Sequence, residues 1–239
     1  MYLWFYEWNM FEAMQAGQHT HGTYLLDRTL NPPGAEAIID SPAIHLTVRA
    51  VPGGAELSLR ITNRTNYVWP AIAGIIPCWN PGQVPGTNPS SPLPLNTNFA
   101  DPGRNKTFFL SAAGLTPLTS RAIHFNRRYR AAVDRAAGAG PFLFSSKWPT
   151  SDVNATAGVL VRESEDGRWV TGVAWEDCLS VQGHNPWSCL HACIRTGALK
   201  PAESRTIRGR LYLFQGKKED VVAQFAKDFA DLPRAGKAR

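Results

Sequence analysis

The stretch Ile44-His-Leu-Thr-Val-Arg-Ala-Val-Pro-Gly-Gly-Ala-Glu-Leu-Ser-Leu-Arg-Ile-Thr-Asn63 decides the fold class. In its first half Ile44, Leu46 and Val48 alternate with His45, Thr47 and Arg49, the period of a strand with one face on a core. His45 then reads as a solvated strand residue. Residues 56–63 repeat the pattern, and Pro52-Gly53-Gly54 between the halves supplies the chemistry of a hairpin turn.

Outward from this hairpin the same punctuation recurs. Strands are expected at 3–8, 67–76 (with Pro70 marking an edge or bulge), 107–110, 141–148, 158–163, 169–175, 188–195 and 206–214. Glu165-Asp-Gly167 is a turn signal joining two of them. Residues 127–137 carry basic residues around Ala and Val at near-helical spacing, which fits a short helix whose arginines form a solvated face. Residues 218–231 are the one well-formed helix, with Val221, Val222, Phe225 and Phe229 as its stripe and Glu219 and Asp220 in its first turn. With 20 glycines and 18 prolines among 239 residues, the expectation is an all-β, two-sheet antiparallel β-sandwich with one C-terminal helix. Residues 1–232 are expected to form a single domain and 233–239 a frayed basic tail.

Charge and apolar runs narrow the partners. A net charge of +6 and a pI near 9.3 suit anions, including anionic polysaccharide. The arginines are dispersed and no RNP, zinc-finger or helix-turn-helix pattern is present, so nucleic acid is not expected. Without an 18-residue apolar run, no membrane partner is expected. Met1 to Trp8 lacks the basic start and small-residue cleavage site of a signal peptide. Because the chain also opens inside an aromatic strand, a truncated periplasmic or secreted protein fits as well, and localisation stays open.

Two segments are dense in chemistry. Gly17-Gln18-His19-Thr20-His21-Gly22 sets two histidines one residue apart, about 7 Å on an extended backbone, within reach of one metal ion. The Glu that a cupin requires a few residues later is missing. The second segment, 175–195, holds Trp175, Glu176, His184, Trp187, His191 and Arg195. Read as a strand after the Gly183-His184-Asn185-Pro186-Trp187 turn, residues 188–195 place Leu190, Ala192 and Ile194 on one face and Cys189, His191, Cys193 and Arg195 on the other. Cys189 and Cys193 would lie about 13 Å apart on one strand, too far for a bridge. A Cys78–Cys178 pairing stays open beside the plainer reading of four buried thiols. Glu7 among aromatics is a further carboxylate, and Trp79 and Asn80 open a Pro/Asn/Gly/Ser-rich loop that fits either a lid or a simple insertion.

The pattern Trp187-x-Cys189-x-His191-x-Cys193-x-Arg195, then Leu199-Lys-Pro-Ala-Glu-Ser204 and a return strand, is similar to the late strands of the galactose-mutarotase-like supersandwich group. There a Leu-x-Pro-Gly-Glu turn leads into the last long strand, and here Ala202 replaces the Gly. The chain as a whole also looks like uncharacterised β-sandwich proteins of environmental bacteria rich in polysaccharide degradation. The resemblance implies a supersandwich with a concave sheet face that binds carbohydrate and presents catalytic His and Glu.

Three functions follow from these residues. The first is a sugar-processing enzyme, lyase- or epimerase-like, in which His19, His21, His184 and Glu176 move a proton, since imidazole titrates near neutrality. Trp187, Trp175, Trp79, Glu7 and Arg195 would bind the sugar, and Arg195 or Arg210 would meet a uronate carboxylate. The second is a divalent transition metal held by His19, His21 and His184 or His191. The third is a non-catalytic carbohydrate-binding module with a tryptophan platform.

Overall fold

A computed structural model describes residues 2–9, 27–31, 35–40, 42–82, 96–138, 148–183 and 188–232. Apart from Leu3, only the backbone is described for Tyr2–Asn9 and Asp27–Asn31. Strands β1 (Tyr2–Asn9), β2 (Asp27–Asn31), β3 (Glu36–Asp40), β4 (Ile44–Val51), β5 (Gly54–Thr62) and β6 (Gly74–Asn80) come first. Then follow β7 (Thr107–Ser111), β8 (Gly114–Pro117), β9 (His124–Phe125), helix α1 (Arg130–Gly138), β10 (Ala155–Glu163) and β11 (Trp169–Trp175). Strands β12 (Cys178–Gln182), β13 (His191–Arg195), β14 (Ser204–Gln215) and helix α2 (Lys218–Asp228) complete the described elements. The strands make two antiparallel sheets, one ordered β1-β6-β13-β12-β9 and a nine-stranded one ordered β2-β3-β4-β5-β14-β11-β10-β7-β8.

The opening hairpin forms as its alternation predicts. Leu46 faces Leu59, and Ile44 faces Ile61 across β4 and β5, and all four are buried. Strand β14 pairs with β5 from Ser204↔Thr62 to Tyr212↔Gly54, which places Ile207 in the same layer. The five-stranded sheet covers this layer with Ile75, Trp79, Val181, Leu190, Ala192 and Ile194. Trp175 lies flat between the sheets over Gly209, where an added Cβ would come within 2.4 Å of the indole.

Two outer layers complete the packing. On the far side of the small sheet, Ile76, Phe125, Leu179 and Cys193 pack with Val133 of α1 and with Trp148. On the far side of the large sheet, Val159, Val161, Val170 and Tyr212 pack under Val221 and Phe229 at α2. The small sheet is therefore buried on both faces. Among the described residues the large one is covered where α2 lies, and the outward residues of β4 and β5 are exposed or half-buried.

The expected strand at 67–76 begins only at Gly74. Asn63 takes the preceding segment into a loop: its amide donates to the carbonyls of Tyr67 and Leu199, each at 2.8 Å, and its Oδ1 accepts from Thr65 N and Oγ1. Its backbone N–H bonds Glu203 O, and its carbonyl takes the N–H of Ala202, tying the loop to the start of β14. Strand β9, in the stretch 121–126, is only two residues long. Most of the one expected at 141–148, and the tail 233–239, lie outside the described residues. Among the described residues no disulfide forms, and all four cysteines are buried; no described helix is long and apolar enough to cross a membrane.

Candidate functional site

Period two sends Thr47 and Arg49 of β4, Glu56 and Ser58 of β5, and Arg208 and Arg210 of β14 to the outer face of the large sheet. There they line a groove of about 540 Å³, with Glu36 on β3 at one side and Asp228 and Phe229 at the end of α2 as the opposite wall. The volume is that of a small-ligand site. Among the described residues α2 stops short of β3 to β5, which leaves their polar face open to the groove.

The charges in the groove hold one another. Glu56 receives Arg49, which keeps its carboxyl below the usual carboxylate range, and also lies 3.4 Å from Arg210. Arg210 reaches Asp228 at 3.4 Å on the other side, and Tyr212 OH donates to the same carboxylate at 3.0 Å. Arg208 is fixed from behind: Glu176 accepts from its backbone N–H and from its Nε, at 2.8 and 2.7 Å. That bond raises the Arg208 pKa further. Three guanidiniums and three carboxylates line the groove, so its formal charge balances. Chemically this is an array of planar donors and acceptors with Thr47 and Ser58 hydroxyls between them, suited to bidentate hydrogen bonding.

The residues singled out from the sequence fall in different places. His19, His21, His184 and Trp187 lie outside the described residues, as does the side chain of Glu7. Trp175 is fully buried and Trp79 is 6% exposed, the latter donating its Nε1–H to Thr171. Neither presents a ring face to solvent, because Leu190 opposite Trp79 and Gly209 beneath Trp175 draw both indoles into the interior. Glu176 serves Arg208, as above. Arg195 is stacked 4.4 Å from the Tyr129 ring and donates to Asp177 at 3.0 Å, which Arg205 also meets at 2.7 Å. His191 is buried with Cys189 and Cys193, facing away from Leu190, Ala192 and Ile194 as the alternation predicts.

One charged residue escaped the sequence reading. Arg162 is fully buried and crosses from β10 towards the small sheet, bonding Thr107 Oγ1, Phe99 O, Ser188 O and Ser188 Oγ at 2.8–3.2 Å. Thr107 in turn donates to buried Asp101 at 2.6 Å. Burial lowers the Arg162 pKa to about 10. Its signal was faint: a lone Arg in the apolar run Gly158-Val-Leu-Val-Arg162.

No family model matches the chain, and no curated protein matches it. Solved structures do resemble it at low identity. A candidate aldose 1-epimerase from Escherichia coli K12 is 9% identical, with 80% of this chain and 69% of that one covered and a TM-score of 0.44. A galactose mutarotase-like protein from Lactobacillus casei is 11% identical over 82% and 75% of the two chains, with a TM-score of 0.42. A polysaccharide lyase is 10% identical over 86% of this chain but only 24% of its own, with a TM-score of 0.37. The likeness is one of β architecture.

Proposed function

We propose that this protein binds a saccharide in the groove on the outer face of the large sheet. The observation that carries this reading is the alternation of guanidinium, carboxylate and hydroxyl groups across β3, β4, β5 and β14 in a sugar-sized trough. Vicinal sugar hydroxyls donate and accept at once, and such an array meets both demands. The balanced charge favours a neutral sugar over a uronate, which would have to displace Glu56 or Asp228 from Arg210. Glu176 then acts as a positioning residue that holds Arg208 at the groove.

In its catalytic form the reading adds lyase- or epimerase-like proton abstraction by His19, His21 or His184. That form rests on the density of histidines in the sequence. The test is titration calorimetry with a panel of neutral and uronate oligosaccharides, followed by an activity assay on any binder. Binding of a neutral sugar that Arg210→Ala weakens about tenfold or more, a loss of about 1.4 kcal/mol, supports the groove. A folded protein that binds no saccharide at millimolar concentration, or binds one unchanged in Arg210→Ala, overturns it.

A further inference from the structure

A second constellation lies on the other sheet, on the face turned away from the groove. Trp79 and Leu190 exchange both backbone hydrogen bonds across β6 and the strand of His191, at 2.9 and 2.7 Å. In an antiparallel ladder the positions flanking such a pair are the close, non-hydrogen-bonded ones, whose side chains approach most nearly. Here those positions oppose Cys78 to His191 and Asn80 to Cys189. Since Trp79 and Leu190 point into the shared core, Cys78, Asn80, Cys189 and His191 all point to the opposite face. Each is at least 95% buried.

The ligand atoms of Cys78, Cys189 and His191 lie within 4.8 Å of one another. Two thiolates and an imidazole around a zinc ion, at ordinary bond lengths, stand about 3.5–4.0 Å apart. A closure of about 1 Å would bring them to those separations. Partners that would orient such ligands are in place: Asn80 Nδ2 donates to Cys189 Sγ at 3.5 Å, and the His191 ring stands edge-on to Trp148 at 6.0 Å. The Arg162 guanidinium holds Ser188, the residue before Cys189, and lies near enough to Cys189 to interact with a thiolate there.

We propose that Cys78, Cys189 and His191 form a binding site for a thiophilic d10 cation, zinc or cuprous copper, in the small sheet. Two sulfurs and one imidazole nitrogen are a soft donor set, which disfavours magnesium and calcium. The site is independent of the saccharide groove, because no groove residue belongs to it. Binding releases the two thiol protons and brings the cation against a buried positive charge. Three protein ligands suit trigonal copper, or zinc with a fourth position open to another donor.

The test uses full-length protein reduced, stripped with chelator and checked for thiols under denaturing conditions. Cobalt(II) added to it should give thiolate-to-cobalt charge-transfer absorption at one equivalent, and zinc should bleach it. Dialysis against zinc or cuprous copper, read by elemental analysis, distinguishes the two cations. Cys189→Ala and His191→Gln should weaken retention at least tenfold, whereas Cys178→Ala, altered in the inter-sheet core, should keep it. Reduced, folded wild-type protein that shows no charge-transfer band and retains neither metal overturns the proposal, whatever the variants do. Metal retained unchanged in Cys189→Ala overturns it too.

Discussion

On the open part of the large sheet's outer face the polar residues that line the groove are Thr47, Arg49, Glu56, Ser58, Arg208 and Arg210. On the outer face of the small sheet the corresponding polar and sulfur-bearing side chains include Cys78, Asn80, Gln182, Cys189 and His191, all buried. The strands of both sheets alternate, and both carry polar atoms on the outer face. What differs is whether a further layer lies over that face. Where water reaches it, long charged side chains pair with one another and leave a groove. Where it is covered, the polar groups are short, and sulfur and imidazole take the place of full charges, as the cost of burying an ion requires. The exception is Arg162, which turns inwards and is held by four hydrogen bonds.

That contrast can be broken in three places. The largest effect is expected at Arg162→Leu, which leaves the carbonyls of Phe99 and Ser188 without their donor and should cost about 3–5 kcal/mol in urea unfolding. A loss below about 1 kcal/mol would mean that the buried charge is no more than a surface one. Next comes His124, whose Nδ1 lies 2.8 Å from Val153 O and whose ring packs 4.2 Å from Phe109. Burial lowers its pKa from 6.5. As pH falls below 6.5 the unfolded chain takes up the proton before the folded one, so stability falls until the folded pKa is passed. His124→Gln should remove that component from the melting temperature measured against pH, and an unaltered pH dependence would sink the assignment. The smallest effect belongs to Arg49→Ala on the open face. Its pair with Glu56 is exposed on both sides, and the expected change is about 0–1 kcal/mol, fading with salt.

Much of the fold was legible because alternation and turn chemistry agree locally. The hairpin of β4 and β5, the strands around Glu165-Asp-Gly167 and the apolar stripe of α2 all show it. The face assignment of residues 188–195 follows from the same rule, with Leu190, Ala192 and Ile194 in the core. Strand β12 went unread because Cys178-Leu-Ser-Val-Gln182 is buried on both faces and carries a register shift against β13, so it has no clean period. Strands β2 and β3 hide in polar Asp27–Asn31 and short Glu36–Asp40. The groove was legible only in fragments. Its lining comes from four strands and a helix far apart in the chain, and outward charges on any one strand read as ordinary solvated residues. The density of chemistry at 175–195 drew attention to Trp175 and Glu176, which serve packing and the orientation of Arg208.

Asn63 sits outside the groove, yet the groove depends on it. Slipping β14 by one residue against β5 would reverse every side chain it carries, sending Arg208 and Arg210 inwards and Ile207 out to water. The bonds that Asn63 makes to Tyr67, Leu199, Ala202 and Glu203 anchor the first rung of that ladder. One amide just beyond the end of β5 thereby selects which surface the protein shows to its surroundings.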